Sequence, residues 1–435
     1  MTAGTAKLDT KGAAKLEARG PVARSDPPPA APSGPSSGAA SSGPAASRAA
    51  DRPRAWILPA GAAAPRLFGL TGEARLSRSL DRVGVAVASV GSESPARAAD
   101  GTTVVLSAAW VYDERLVAAL CDTVPCWLAA RDGTLVAAHV ADAECAGAAR
   151  ALAAPSPHTP EGVAGAVGPD ALVPPYSHEL RKREAALLEP LVPDARERLE
   201  RRLFDASYKG ITDLVTKYVW PPLALPAVRA CARLGITPNV VTVASWVLVF
   251  VAGVCFAEAR FGAGLAAAWL MTFLDTVDGK LARVTLRTSR IGHVLDHGLD
   301  ILHPPFWWAA FGLALAAPWA TAATWVAFVG YWLHRGVEGL FLAVFGIEIH
   351  AWRRLDARFR LVTTRRNPNL ILLTLGWAAG RPDLGFAALA LWTVASILFH
   401  LVRIAQAGVE RLRGHPIRSE YEIGGLEAAG AGPGR

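Results

Sequence analysis

The sequence predicts an α-helical integral membrane bundle of six transmembrane helices, preceded by a small soluble α/β domain and a disordered N-terminal tail. Three observations carry this prediction. The chain has 435 residues, of which 52% are hydrophobic. Its second half consists of long apolar runs separated by short charged segments. Its first half contains short β-rich runs between Ala-rich helical stretches. Apolar runs of bilayer length are typical of membrane helices.

The N-terminal tail is expected to cover residues 1–52. Residues 20–47 are dominated by Pro, Ala, Ser and Gly, and such a segment cannot bury enough apolar surface to offset its ordering entropy. The first 20 residues contain no apolar stretch of signal-peptide length, so we expect the N-terminus to stay in the cytoplasm. The five cysteines have no C-x-x-C spacing, which indicates neither a zinc site nor a disulfide framework.

The α/β domain is predicted over residues 53–155. Strands are expected at the runs WIL, VGVAVASV, TTVVLSA and TLVAAHV, with helices at 115–120 and 142–152. The first strand leads into Leu58-Pro-Ala-Gly61, followed by Arg66 and Leu67, which is similar to the L-x-A-G-x-G-x-R-L loop of sugar-phosphate nucleotidyltransferases. The second glycine is missing, the arginine is displaced by one residue, and Ala108 stands where that family's metal-binding aspartate is expected. We therefore predict a degenerate nucleotidyltransferase-like domain, with a generic α/β module lacking a catalytic role as the alternative.

The remaining segments are organised around the membrane. Residues 156–205 are highly charged and predict solvated linker helices, and the lysines and aromatic residues of 205–222 predict a juxtamembrane helix. The membrane domain is expected over 206–408, followed by a cytoplasmic tail over 409–435. The predicted spans are 239–258, 262–283, 291–317, 320–347, 368–380 with a bend, and 383–405.

The arginines and lysines orient these spans. The loops that would face the cytoplasm hold 14 basic residues against two on the opposite side, so both termini should be cytoplasmic. The cytoplasmic residues are Lys280, Arg283, Arg287, Arg290, Arg353, Arg354, Arg358, Arg360, Arg365, Arg366, Arg403, Arg411, Arg413 and Arg418, and the two opposite are Arg260 and Arg381. The formal charge of +8 therefore favours a membrane surface over nucleic acid as the partner.

Four aspartates stand where the second and third spans meet. Asp275 and Asp278 share one helical face, and Asp296 and Asp300 share another, because their spacings are three and four residues. Four carboxylates at membrane depth cannot lie together ionised without cations, which implies one or two hard ions, Mg²⁺ or Mn²⁺. Gly279 and Gly292 would leave a groove beside these acids for a base or a pyrophosphate.

This stretch resembles the CDP-alcohol phosphotransferase family, whose signature is D-x2-D-G-x2-A-R-x8-G-x3-D-x3-D. The match includes every fixed position, which in this chain are Asp275, Asp278, Gly279, Ala282, Arg283, Gly292, Asp296 and Asp300. The resemblance covers roughly residues 206–405. It implies a six-helix membrane fold, a homodimer and an active site that faces the cytoplasm.

The resemblance also implies a role for each matched residue. Asp275, Asp278, Asp296 and Asp300 would hold the metal, with Asp300 also acting as general base. The CDP pocket would be lined by Gly279, Ala282, Arg283 and Gly292, together with Asn239, Thr242 and Ser289.

The acceptor site is less defined by the sequence. Arg335, within the fourth span and beside His334 and Glu338, is the candidate acceptor residue, with an internal Arg335–Glu338 pair as the alternative. The arginine cluster at 353–366 could bind an acceptor phosphate or attract anionic lipid heads. His293, His297 and His303 are expected on the helix surface.

Three functions are compatible with these features. The leading hypothesis is transfer of a phosphatidyl group from CDP-diacylglycerol to a polar alcohol, such as glycerol phosphate, inositol phosphate or serine, with release of CMP in phospholipid biosynthesis. The second is transfer from a soluble CDP-alcohol such as CDP-inositol to an inositol phosphate or a lipid. The third is a non-catalytic scaffold or transporter, which the intact motif disfavours because transport needs no nucleotide groove.

Overall fold

The structure is a computed structural model that describes residues 52–95, 101–154, 165–177, 180–287 and 290–423. The side chains of residues 290–297, 299, 422 and 423 are outside that description. The predicted N-terminal tail, apart from Arg52, and the last residues of the predicted C-terminal tail lie outside the described residues.

The first half folds around a five-stranded mixed sheet in the order β2-β1-β3-β6-β5. Strand β1 is parallel to β2 and β3, whereas β6 is antiparallel to β3 and β5. The strands are β1 Arg54–Leu58, β2 Val87–Val90, β3 Thr102–Ser107, β4 Trp110–Tyr112, β5 Cys126–Ala129 and β6 Leu135–Ala141, and the helices are α1 Gly72–Arg82, α2 Glu114–Asp122 and α3 Cys145–Ala153. The predicted strands and helices overlap β1, β2, β3, β6, α2 and α3, whereas α1, β4 and β5 are not among the predicted elements.

Both faces of this sheet are buried. Ile57, Val104 and Leu106 face a core shared with α1 and α2, while Trp56 and Val105 face a second core shared with α3. Adjacent residues of a strand point to opposite faces, so the continuous apolar runs of β1 and β3 serve both cores.

The segment predicted as linker helices differs from that prediction. It contains α4 Pro169–Leu172, three short strands, a 3₁₀ turn at Pro193–Ala195 and then α5 Arg196–Ala206; the strands are β7 Tyr176–Ser177, β8 Lys182–Arg183 and β9 Leu188–Pro190. Strand β9 pairs antiparallel with β4 in a separate two-stranded sheet, and Pro190 cannot donate a helical hydrogen bond. The segment is not a solvated linker either, since α5 buries Leu199, Leu203 and Phe204.

The second half is helical. A π-helical turn at Val215–Val219 stands within the predicted juxtamembrane helix, and 10 helices follow it in the described part of the chain. They are α6 Trp220–Arg233, α7 Pro238–Ala257, α8 Phe261–Val284, α9 Arg290–Leu313, α10 Ala320–Phe345, α11 Ile349–Trp352, α12 Arg354–Phe359, α13 Arg366–Ala378, α14 Pro382–Leu412 and α15 Glu420–Ile423. Each of the six predicted spans overlaps one of α7, α8, α9, α10, α13 and α14. Among the described helices, α7 and α14 are long and apolar enough to cross a membrane by length and composition alone.

Aromatic packing and small residues hold these helices together. Phe256, Trp307, Phe311 and Phe386, from α7, α9 and α14, form one buried cluster. Helices α13 and α14 approach closely where Gly376 faces Gly385, because a Cβ on Gly376 would lie 2.4 Å from the Gly385 Cα. Small residues of this kind let helix backbones meet.

Candidate active site

Arg366 joins two of the predicted site aspartates. This residue is the first of α13, and its guanidinium donates from Nη2 to Asp275 Oδ2 at 2.5 Å and from Nη1 to Asp300 Oδ1 at 2.6 Å. Asp275 belongs to α8 and Asp300 to α9, so the structure brings both halves of the motif to the Arg366 guanidinium. The Asp300 side chain is 39% exposed against 14% for Asp275, which makes Asp300 the more accessible of the two.

Asp278 is held from the neighbouring helix. Its side chain is buried, and Oδ2 accepts a hydrogen bond at 2.7 Å from the Thr242 hydroxyl. Thr242 lies in the first turns of α7, where its hydroxyl is also 3.1 Å from the Pro238 carbonyl. The structure therefore places Thr242 at the aspartate motif, whereas Asn239 in the same turn is exposed.

Several predicted residues lie at the edge of what the structure describes. Ser289 and the Asp296 side chain are outside the described residues, and Gly292 is described only as part of the α9 backbone. The convergence of all four aspartates therefore stays a prediction, with three of them placed.

The predicted nucleotide residues of α8 face two environments. Gly279 is open within the described part of the chain, since no atom there lies within 4 Å of the position that a Cβ would take. Arg283 instead donates from Nη1 to the Ser207 carbonyl at 2.7 Å, and Lys280 Nζ donates to the same oxygen at 2.9 Å. Lys280 also lies 3.4 Å from the centre of the Tyr208 ring. The backbone before the π-helical turn thus holds the basic end of α8.

Arg335 meets Glu338, as in the alternative interpretation of the sequence. The Glu338 Oε2 atom accepts from Arg335 Nη1 at 3.1 Å and from Arg365 Nη2 at 2.6 Å. Its Oε1 atom lies 2.9 Å from His350 Nε2. The carboxylate is therefore shared by residues from α10, α11 and the turn before α13.

Three histidines pack beside this carboxylate. The rings of His334 and His400 are stacked with centroids 4.7 Å apart, and the His350 ring meets His400 edge-on at 5.1 Å. Burial lowers the pKa of His350 below its ordinary value even though Glu338 opposes the change. Here His334, Arg335, Glu338, His350, Arg360, Arg365 and His400 are called the arginine–histidine cluster.

This cluster contains many buried N–H groups that lack an acceptor. Within the described part of the chain, no hydrogen-bond partner is found for Arg335 Nε, Arg360 Nη1, Arg365 Nε, His350 Nδ1 or either ring nitrogen of His400. Buried donors without partners are costly, and arginine cannot lose its proton to avoid the cost. The arrangement therefore fits a ligand that brings several acceptor oxygens.

The helical half of the chain is similar to a known protein family. Residues 235–360 match the family model of CDP-alcohol phosphatidyltransferases. This stretch is therefore similar to a CDP-alcohol phosphatidyltransferase domain. Proteins of this family are embedded in membranes through α-helices, which agrees with the two apolar helices described above.

Individual relatives cover parts of this domain. Human cholinephosphotransferase 1 is 31% identical over 155 residues, which are 34% of this chain and 37% of that protein. The phosphatidylinositol phosphate synthase of Mycobacteroides abscessus is 30% identical over 109 residues, or 23% of this chain and 50% of that protein. The archaetidylinositol phosphate synthase of Pyrococcus horikoshii is 32% identical over 106 residues, or 24% and 55%. The chain thus spans about half or less of the length of these relatives.

Solved structures were also compared. A crystal structure of Mycobacterium tuberculosis phosphatidylinositol phosphate synthase with CDP-DAG bound has a TM-score of 0.34 and 21% identity, covering 42% of this chain and 94% of that one. A structure of the same enzyme in complex with manganese and citrate has a TM-score of 0.33 and 22% identity, covering 41% of this chain and 87% of that one.

Two kinds of ion could be considered for the arginine–histidine cluster of the transferase domain. His334, Glu338 and His400 offer ligand atoms that all lie within 4.8 Å of one another, as a metal would require. Arg335 and Arg365 already bind Glu338, however, and Arg360 acts on the same carboxylate and histidines. With several arginines around one carboxylate, the cluster is net positive and favours an anion over a cation.

Sequence reasoning missed three features of the transferase domain. Arg366 was grouped with the surface arginines at 353–366, although it bridges two aspartates. His400 was not selected at all. His303 was expected on the helix surface but is buried, with its ring 4.5 Å from that of Trp307. The placement of Arg366 and of His400 depends on contacts with residues far away in sequence, and the adjacent Arg365-Arg366 pair before an apolar run was the one local signal. His293 and His297 lie outside the described side chains.

The position of the missing nucleotidyltransferase aspartate is occupied by a buried residue. Ala108 is fully buried, and its carbonyl oxygen would lie 2.2 Å from a Cβ on Gly72. The loop after β1 is held by a hydrogen bond to α1, in which the Ala60 N–H donates to the Glu73 side chain at 2.8 Å. The position of the expected metal ligand is therefore used for packing α1 on the sheet.

Proposed function

We propose that this protein transfers the phosphatidyl group of CDP-diacylglycerol to a polar alcohol that carries a phosphate of its own, with release of CMP. The observation that supports the phosphorylated acceptor is the arginine–histidine cluster, with its unmet donors on Arg335, Arg360 and Arg365. Guanidinium groups bind phosphate oxygens through paired, charge-assisted hydrogen bonds. The relatives named as phosphatidylinositol phosphate synthases and archaetidylinositol phosphate synthase are consistent with this proposal.

The aspartate motif fits a divalent cation. Its donors are all carboxylate oxygens, the ligand type that Mg²⁺ and Mn²⁺ prefer, and a guanidinium cation already bridges Asp275 and Asp300. Asp275, Asp278, Asp296 and Asp300 would hold one or two such ions. When bound, the metal would neutralise charge on the pyrophosphate and on the departing CMP.

The protein's own residues would then orient the reactants. Asp300 is the more accessible carboxylate and would accept the proton of the acceptor hydroxyl as that oxygen attacks the phosphorus. Thr242 holds Asp278 in place, and the open groove at Gly279 would admit the nucleotide. Arg283, Ala282, Asn239, Ser289 and Gly292 complete the proposed nucleotide pocket.

The acceptor site and the aspartates are connected through consecutive residues. Arg365 binds Glu338 of the arginine–histidine cluster, while Arg366 binds Asp275 and Asp300. Neighbouring Cα atoms are about 3.8 Å apart, so one short chain segment connects the proposed acceptor site to Asp300. The arginines would thus orient the attacking hydroxyl.

The cellular setting follows from the charge distribution. We infer a multi-pass protein of the cell inner or plasma membrane that acts as a homodimer. The basic residues in the loops favour an active site and both termini in the cytoplasm.

A second candidate function has a soluble CDP-alcohol as donor and a lipid as acceptor. The similarity to cholinephosphotransferase 1 favours this direction of transfer, and CDP-inositol is the donor that the α/β domain would suggest. A non-catalytic scaffold or transporter is the remaining candidate. A scaffold or transporter would have no use for the proposed nucleotide pocket or for Asp275, Asp278 and Asp300.

The decisive experiment measures Mg²⁺-dependent CMP release by the full-length protein in lipid nanodiscs. CDP-diacylglycerol is supplied with inositol phosphate, inositol, glycerol phosphate, glycerol or serine, and CDP-inositol and CDP-choline are tested with lipid acceptors. Release with a phosphorylated alcohol, but not with its unphosphorylated partner, and its loss in Asp275→Asn are expected. Equal rates with inositol and inositol phosphate would refute the phosphate-bearing acceptor. Release only from a soluble CDP-alcohol would favour the second candidate.

A further inference from the structure

The α/β domain contacts the membrane bundle at the end of α8, the helix that carries Asp275 and Asp278. Leu67 and Phe68, from the loop after β1, are buried in the same apolar cluster as residues 277, 281 and 284 of α8. Residue 277 is next to Asp278 in sequence. The domain therefore packs against the segment of α8 that contains the site acids.

At the last turn of α8, two carbonyl groups have no backbone donor among the described residues, which stop at 287 and resume at 290. The carbonyls of residues 281–283 accept hydrogen bonds from the N–H groups of residues 285–287, in a turn where Leu286 adopts a positive φ of 54°. Helix ends must satisfy their last carbonyls with donors from elsewhere. Here those carbonyls belong to Val284 and Thr285.

Two arginines of α1 supply the donors. Arg75 Nη1 donates to the Val284 carbonyl at 2.8 Å, and Arg78 Nη1 donates to the Thr285 carbonyl at 2.6 Å. They are three residues apart and share one face of α1, while Leu76 and Leu80 fix that helix in the α/β core. Burial lowers the pKa of Arg75 to about 10, so the guanidinium stays charged at neutral pH. Cations at a helix C-terminus also interact favourably with its dipole.

A neighbouring arginine provides a contrast. Arg82, at the other end of α1, forms an ion pair with Glu114 inside the α/β domain. Arg75 and Arg78 instead cross to residues more than 200 positions away in sequence, 209 and 207 respectively. Their contacts are therefore directed at the transferase domain and not at the stability of their own domain.

We propose that Arg75 and Arg78 are positioning residues, through which the α/β domain holds the C-terminal end of α8 and so sets Asp275, Asp278 and Arg283 for the divalent ion and the nucleotide. This inference rests on the proposed function. It gives the α/β domain a role that needs neither the second loop glycine nor an aspartate at position 108.

The first test is hydrogen exchange on the full-length protein in lipid nanodiscs. The double variant Arg75→Ala/Arg78→Ala is compared with Arg75→Lys/Arg78→Lys and with Arg82→Ala as matched control. In the double alanine variant the amides of residues 281–287 should exchange about tenfold faster, because hydrogen bonds to charged groups restrain local opening. Exchange in α7 should not change. Lysine should restore most of the protection, and Arg82→Ala should match the wild type.

The second test measures Mn²⁺ binding to the same proteins by electron paramagnetic resonance. The double alanine variant should bind Mn²⁺ about three- to tenfold more weakly, since loosely held carboxylates lose preorganisation. Unchanged exchange at 281–287, or faster exchange with unchanged Mn²⁺ affinity, would overturn the positioning role. A wild-type protein that binds no Mn²⁺ would contradict the proposed function. In that case the hydrogen-exchange result would still test whether Arg75 and Arg78 hold the end of α8.

Discussion

Replacing Arg335 with Gln tests whether the arginine–histidine cluster recognises an acceptor phosphate. The substitution removes one charge and the Nη1 contact with Glu338 at 3.1 Å. Glu338 keeps its bond to Arg365 at 2.6 Å and its contact with His350 at 2.9 Å, so the carboxylate is not left unpaired. The variant therefore isolates the loss of a donor for the acceptor.

The size of the effect follows from the lost hydrogen bond. A bond from a charged donor contributes about 1.5–3 kcal/mol, and about 1.4 kcal/mol corresponds to a tenfold change. We expect kcat/KM for the phosphorylated acceptor to fall about 10- to 100-fold. The KM for CDP-diacylglycerol should stay within about twofold, because Arg335 belongs to the proposed acceptor site and not to the proposed nucleotide pocket.

The assay is CMP release with each substrate varied in turn, and Arg381→Gln serves as control. The Arg381 side chain is 58% exposed and pairs with Asp383, outside the arginine–histidine cluster. The reasoning is refuted if Arg335→Gln lowers the rates with phosphorylated and unphosphorylated acceptors equally, or if the variant raises the donor KM instead.

Three further predictions concern other contacts. Asp300→Asn should abolish CMP release while thermal unfolding and size-exclusion profiles stay unchanged, because the amide cannot accept the acceptor proton; normal turnover would remove Asp300 as base. Asp356→Ala should destabilise the protein by about 3–5 kcal/mol, since it strands the buried Arg403, which donates to both Asp356 oxygens at 2.6 and 2.8 Å; a melting temperature equal to that of the wild type would contradict this. His139 is buried between the Leu120 carbonyl and the Thr102 hydroxyl, and burial lowers its pKa below the ordinary value of 6.5. The unfolded state therefore binds the proton more readily, so stability should fall as pH drops below about 6.5; a His139→Gln variant that keeps the same pH dependence in denaturant titrations would refute this.

Local sequence was sufficient for the secondary structure of most of the chain. The alternating and continuous apolar runs of β1, β3 and β6 predicted their strands, and the lengths of the apolar segments predicted α7 to α10, α13 and α14. Several elements were not predicted, among them α1, β4, β5 and β9, and β9 lies within a charged segment with helical spacing. Its strand conformation depends on pairing with β4, which is about 80 residues earlier, and a residue's own neighbours do not reveal such a partner.

The sequence by itself determined the chemistry of the candidate site. Three- and four-residue spacings place side chains on one helix face whatever the rest of the fold, so the aspartates and Gly279 could be selected without a structure. Only the tertiary structure decided which cations and carboxylates meet. Arg366 reaches Asp275 and Asp300 across 91 and 66 residues, Arg365 reaches Glu338 across 27, and Arg75 reaches α8 across 209. Such contacts arise when helices that are distant in sequence pack together. Their interaction energy depends on burial and on the distance between the charged groups, and neither quantity leaves a periodic pattern in the sequence.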